Sequence, residues 1–132
     1  MHPPITESFA LKFEFPNQTI VFSGDTAYFP PLAEFAKGAD ILVHEVMYAP
    51  AMEALMRRTP NAPTLLAHLK ASHTLTDEVG RIATQAQVKT LVLSHLVPAD
   101  DPSVTEQVWT DAVRETWKGD LIVGRDLMEI AL

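Results

Sequence analysis

The sequence predicts an α/β layered domain, an opening β-hairpin followed by strands that alternate with helices. Three observations carry this. Residues 8–15 alternate, with Phe9, Leu11, Phe13 and Phe15 on one side. Two compact apolar runs, 40–46 and 89–94, contain Ile41-Leu42-Val43 and Leu91-Val92-Leu93, the pattern of buried strands. Residues 76–86 and 102–117 repeat apolar positions at helical spacing.

Taken in order, residues 8–15 read as a half-buried strand and Pro16-Asn17-Gln18 as a short turn. Residues 19–23 are branched and aromatic enough to complete a hairpin, which Gly24 ends. Pro30-Pro31 can open a short helix over 32–37, stopped by Gly38. The strand at 40–46 follows. Residues 51–58 are helical in pattern, Pro60 and Pro63 interrupt, and 64–70 continue as a second helical stretch. Thr76 is a plausible N-cap for 76–86, where Val79, Ile82, Ala83 and Ala86 share a face. After the strand at 89–94, Ser103 is the candidate cap of a helix over 102–117. That helix sets Val104, Val108 and Ala112 on one face, extended by Trp109, Val113 and Trp117. Short strands at 121–123 and 127–131 flank Gly124-Arg125-Asp126. No repeat, low-complexity segment or linker interrupts the chain.

A chain of 132 residues, 47% hydrophobic, fits one compact domain with a modest core. Its formal net charge of −7 repels nucleic-acid phosphates unless a basic patch or bound cation intervenes. The Lys and Arg residues are scattered, and Arg57-Arg58 is their one adjacent pair. Charge therefore weighs against a polynucleotide partner. With no cysteine, disulfides, thiolate chemistry and cysteine-built zinc sites are excluded, and any metal must sit on His, Asp or Glu. No apolar run is long enough to span a bilayer, and Met1-His2-Pro3-Pro4 lacks the regions of a signal peptide. The compartment is unknown, cytoplasmic by default.

The residues that could carry chemistry are few. Of the histidines His2, His44, His68, His73 and His95, most fall at element boundaries, where α/β proteins place ligands. Asp25 follows Ser23-Gly24 on a tight turn after a strand, where it can point into a cleft or cap the loop. His95 sits where a buried strand should emerge, as a metal ligand or a satisfied core histidine. His73 lies before the 76–86 helix, as a mobile acid/base or a residue without duty. His44-Glu45 ends a buried strand and needs partners there, either as a hydrogen-bonded pair that ties strand to helix or as a support that orients another histidine. His68 reads as a surface or satisfied helix histidine. There is no Gly-rich phosphate loop, no Gly-x-Ser-x-Gly elbow and no His-Glu-x-x-His.

Together the segments are more specific than any one of them. Val21-Phe22-Ser23-Gly24-Asp25-Thr26, then a short helix, then Ala39-Asp40-Ile41-Leu42-Val43-His44-Glu45, resembles the metallo-β-lactamase superfamily. Within it the pattern is similar to the tRNA 3′-processing endonuclease branch (RNase Z) and its arylsulfatase- and phosphodiesterase-like relatives. Ser72-His73-Thr74 resembles that branch's His-Ser-Thr motif, His44-Glu45-Val46-Met47 its His-Glu-Ala-Thr motif, and Leu93-Ser94-His95-Leu96 its last metal-binding histidine. The resemblance implies the C-terminal half of an αββα sandwich, so that residues 1–132 form a single partial domain. It implies a two-zinc site in the intact enzyme. Asp25 would bridge the metals, His95 would bind one, and His2 would bind the other. His73 would assist catalysis near the leaving group, with Glu45 to orient or charge it.

Two departures qualify the likeness. The family's His-x-His-x-Asp-His motif is absent, so His2, Asp25 and His95 would hold at most one metal, weakly, in this chain. Manganese or iron suits the same donors. The Pro16-Asn17-Gln18 turn also leaves no room for the arm that grips tRNA. With the net charge, this makes a small ester (phosphodiester, sulfate or related) the expected substrate over nucleic acid, hydrolysed by metal-activated hydroxide. The alternatives are a true tRNA-processing endonuclease and an inactive fragment or partner-binding module. An uncovered sandwich face would favour association with a missing N-terminal half or with itself.

Overall fold

The computed structural model describes residues 7–58 and 62–131. It holds one five-stranded sheet in the order β1-β2-β3-β4-β5. Strands β1 (Leu11–Phe15) and β2 (Gln18–Phe22) form the expected antiparallel hairpin around a two-residue turn at Pro16-Asn17. Strands β3 (Ile41–Met47), β4 (Thr90–Val97) and β5 (Asp120–Val123) then pair in parallel with β2 and with one another. Helices α1 (Pro31–Phe35), α2 (Ala49–Met56), α3 (Ala62–Ser72), α4 (Thr76–Ala86) and α5 (Glu106–Arg114) fill the crossovers. The α/β expectation holds.

The core lies on one side of the sheet. Val21, Leu42, Val46, Leu91, Leu93 and Val123 meet Leu32 and Ala36 of the α1 segment, Val79, Ile82 and Ala86 of α4, and Trp109 and Val113 of α5. Helix α4 packs there because its apolar positions recur at i, i+3, i+4 and i+7. Asp40 ties three strand starts together: Oδ2 accepts from the Thr19 amide at 2.7 Å, and Oδ1 pairs with Lys89 at 2.6 Å. The opposite face is floored by Ile20, Phe22, Ile41, Val43 and Val92, the lining of an open hollow of about 910 Å³. No helix among the described residues packs there.

Several expectations are corrected. The opening strand is not half-buried. All of β1 is exposed, and Phe9, Leu11, Phe13 and Phe15 stand 69%, 54%, 46% and 55% exposed because nothing among the described residues covers that face. Thr76 does not cap α4. Leu75 is the N-cap, and its amide donates to Glu78 Oε2 at 2.9 Å. Ser103 is not a cap either, since its amide and hydroxyl both turn back to Asp101 Oδ1. That turn delays α5 to Glu106, under a Thr105 cap that accepts from the Val108 amide. No strand forms at 127–131. A turn closed by the Met128 amide on the Arg125 carbonyl leaves Leu127 fully exposed.

Candidate active site

The C-terminal ends of parallel strands are where loops diverge and open a crevice, and here the ends of β2, β3 and β4 do so side by side. Gly24, just past β2, has φ +61, and an added Cβ would meet the Phe9 carbonyl oxygen at 2.6 Å. This turn needs glycine, and it throws Asp25 out at the strand end. Across the crevice, β4 pairs Ser94 with Glu45 and Leu96 with Val46, so His95 is the extra residue of a β-bulge. His95 has φ +44, a left-handed conformation rare for histidine. Bulges re-aim side chains beside active sites. This one brings His95 Nε2 to 3.5 Å from Asp25 Oδ2, with both side chains about half exposed.

His73 follows α3 and packs its ring 5.5 Å from that of His95. Beneath it lies Glu45, only 2% exposed, at the end of β3. Glu45 Oε2 accepts from His73 Nδ1–H at 3.2 Å. Oε1 accepts from the amides of Thr26 and Thr74, each at 3.1 Å. The Thr74 hydroxyl donates to the Thr26 carbonyl at 2.7 Å, and the Glu45 amide donates to Ser23 Oγ at 3.1 Å. The carboxylate thus stitches the loops after β2 and α3 to β3. Its hydrogen bond holds the His73 pKa above the ordinary 6.5 against the opposing effect of burial, with the Glu45 and Asp25 charges adding to the rise. Nδ1 of His73 is committed to Glu45, and the raised pKa favours the charged ring, in which Nε2 is a second donor.

The sequence-based site residues separate clearly. Asp25, Glu45, His73 and His95 come together. His2 lies outside the described residues. Of the two readings of His44-Glu45, the paired one holds only through the backbone: the side chains point to opposite faces of the strand, and the His44 ring bonds the Glu45 carbonyl. Glu45 orients a histidine, as the other reading has it. His44 turns into the core, where Nδ1–H donates to the Glu45 carbonyl at 2.6 Å, Nε2 meets no partner among the described residues and burial lowers its pKa. His68 is exposed on α3. Sequence reasoning missed the Thr26 and Thr74 amides as anchors of Glu45. The signal was a Thr directly after each of two motif residues, Asp25 and His73.

Whether this site suits a metal can be tested on its donors. Two ligands at about 2.0–2.1 Å from one tetrahedral zinc lie roughly 3.3 Å apart. Asp25 and His95, at 3.5 Å and open to the same hollow of about 140 Å³, fit that spacing. Among the described residues no third His, Asp or Glu completes the group.

A mostly parallel α/β sheet with an Asp/His pair and a Glu-held histidine at its strand ends is the arrangement of a metallo-β-lactamase fold. The chain belongs to the β-lactamase superfamily, whose domain description, Beta-lactamase superfamily domain, matches residues 2–96. It is 30% identical over 129 residues to ribonuclease Z of Mycobacterium tuberculosis (strain ATCC 25618 / H37Rv), covering 98% of this chain and 45% of that protein. It is 40% identical over 83 residues to ribonuclease Z of Brevibacillus brevis, covering 63% of this chain and 22% of that one. The metallo-beta-lactamase fold protein YhfI of Bacillus subtilis shares the fold with a TM-score of 0.70 at 22% identity, over 95% of this chain and 44% of that one. The chain spans about half the length of the mycobacterial relative.

These relatives overturn the expectation that a small ester is favoured over nucleic acid, since they are ribonucleases. The error was to weigh the net charge and the short hairpin as if they described the whole substrate surface. A segment matching 45% of a relative does not report the charge of the rest. No described helix is long and apolar enough to cross a membrane.

Proposed function

We propose that the chain is the C-terminal half of a binuclear metal-dependent hydrolase that cuts a phosphodiester bond in RNA, with the 3′ end of a tRNA precursor as the substrate to test. The observation that carries this is the approach of Asp25 Oδ2 to His95 Nε2 beside the His73–Glu45 pair. The ribonuclease relatives supply the substrate class.

In this reading Asp25 and His95 hold metal, zinc in the first instance, with His2 and residues from a second layer completing the set. Bound metal supplies a polarised phosphoryl oxygen and an activated water. The chain's own residues do the rest. Glu45 fixes the His73 ring through Nδ1 and favours its protonated form. His73 Nε2–H is then the donor for the oxygen that leaves the phosphorus. The open sheet face, continuous with the site through Phe22, Val43, Ser94 and His95, receives the second layer.

The test is zinc uptake by the purified chain, read by elemental analysis after dialysis, beside Asp25→Ala and His95→Ala. Weak uptake that both variants lose is the expected result. Equal uptake in the variants would remove Asp25 and His95 from the metal site. In the enzyme containing this chain, His73→Ala should keep its zinc and lose cleavage of a 3′-extended tRNA. Undiminished cleavage would remove His73 from the chemistry.

A further inference from the structure

Among the described residues strand β1 ends the sheet, and every one of its residues is exposed. An edge strand with a Leu and two Phe in five residues is a template for another strand unless something covers it. Its sequence, Leu11-Lys12-Phe13-Glu14-Phe15, is self-complementary about Phe13. Laid antiparallel on a second copy with Phe13 on the two-fold axis, Lys12 faces Glu14 of the other chain, twice over. Leu11 faces Phe15, and Phe13 faces itself.

The backbone allows that register. The Pro16-Asn17 turn closes on the Phe15–Gln18 pair, the hydrogen-bonded pair of a two-residue hairpin. Bonded and non-bonded pairs alternate from there, through Glu14–Thr19, Phe13–Ile20 and Lys12–Val21. The amides and carbonyls of Lys12 and Glu14 therefore point away from β2, to the free edge. In the register centred on Phe13 these outward groups meet each other, so each Lys12–Glu14 pair exchanges backbone hydrogen bonds across the seam. A register shifted by one residue would set inward groups against outward ones and lose them. The side chains agree with the backbone. Lys12 and Glu14 share the face that carries Phe35, where Lys12 Nζ lies 5.6 Å from the ring and 3.9 Å from Glu14 Oε1. Leu11, Phe13 and Phe15 form the opposite, apolar stripe, with Phe13 edge-on to Phe22 at 5.9 Å.

We propose that two copies of this chain associate through β1, edge to edge and antiparallel about Phe13, into one continuous sheet. Such a contact is isologous and closes on itself. Cross-strand Lys–Glu pairs stabilise it, and like charges set directly opposite would oppose it.

The experiment is sedimentation equilibrium of the full chain at about 0.15 M salt, where long-range repulsion between acidic copies is screened beyond roughly 8 Å. The wild type should sediment at twice 14.6 kDa. Lys12→Glu and Glu14→Lys each set like charges opposite at both ends of the seam and should weaken the dissociation constant by roughly tenfold or more. The double variant Lys12→Glu/Glu14→Lys should regain the dimer. Mixing the two single variants should give a heterodimer, because the two acidic side chains of one strand then face the two lysines of the other. Circular dichroism checks that these exposed changes leave the fold alone. A monomeric wild type, a dimer indifferent to the single swaps, or a double variant that stays monomeric overturns the proposal. The second of these would place self-association on the open sheet face instead.

Discussion

Glu45 is the residue on which both the local fold and the state of His73 depend, and two substitutions pull those duties apart. Glu45→Ala removes the acceptor of two amides, Thr26 and Thr74, and of His73 Nδ1–H. Stripping the acceptor from a buried donor costs about 1–3 kcal/mol. The two amides alone thus put the loss at roughly 2–6 kcal/mol, a large share of the 5–15 kcal/mol typical of a domain. Glu45→Gln keeps an oxygen for both amides and presents its NH₂ to His73. The ring must then accept at Nδ1, and the charge that favoured its protonated form is gone. Glu45→Gln should therefore lose much less stability than Glu45→Ala, while the His73 pKa falls from its raised value. The sign can be checked. A histidine whose folded pKa lies above the ordinary 6.5 contributes stability that is fully present below 6.5 and is lost as pH rises through the folded value. The gap between wild type and Glu45→Gln should accordingly be widest on the acid side of neutrality and narrow as pH rises. Urea unfolding across that range, with an NMR titration of the His73 ring, measures both. Equal losses in the two variants, or an unchanged His73 titration in Glu45→Gln, would refute the account.

Other perturbations follow from single contacts. Gly24→Ala should destabilise by about 1–3 kcal/mol in chemical denaturation, because its φ is +61 and the new Cβ would sit 2.6 Å from a backbone oxygen. Trp109→Ala should lose about 3–5 kcal/mol, since the indole is 3% exposed and packs edge-on to Tyr48 at 5.9 Å. His44→Leu should cost about 1–3 kcal/mol at neutral pH, because it removes the Nδ1–H donor of the buried Glu45 carbonyl, partly offset by loss of a buried Nε2 that has no partner among the described residues. It should also flatten the acid limb, since a histidine with a lowered pKa loses stability as pH falls from 6.5 through its folded value. His95→Gly should match or exceed wild-type stability by urea unfolding while losing metal uptake, because glycine adopts φ +44 without strain.

The elements were legible wherever a local pattern decides them. Residues 76–86 form a helix with the predicted bounds because apolar spacing, a glutamate three residues past the cap and a left-handed Gln87 all agree. Elements failed where a side chain outside the pattern intervened. Asp101 took the Ser103 amide, and the periodicity of 102–117 contains nothing that would show it. Residues 8–15 alternate as a half-buried strand does, yet alternation reports a face fit for burial without reporting what lies over it. Asp25, His73 and His95 were each ambiguous alone, because the contacts that give them meaning span long separations. Glu45 meets His73 across 28 residues and the Thr74 amide across 29. Only the ordered set of motifs, compared with a family, could bring them together before the fold did.

The charge argument failed for a physical reason that the site itself displays. A polyanion responds to the field where its phosphate sits, and net charge fixes that field poorly. In this crevice stand the carboxylates of Asp25 and the buried Glu45, with the His73 ring hydrogen-bonded to the second of them. A mouth of that composition repels phosphate and attracts cations. A divalent ion seated on Asp25 would be the largest local charge and would reverse the sign of the field an incoming phosphate meets. On the function proposed above, two of the acidic residues that weighed against nucleic acid when summed over the sequence would, at the strand ends, recruit the cation.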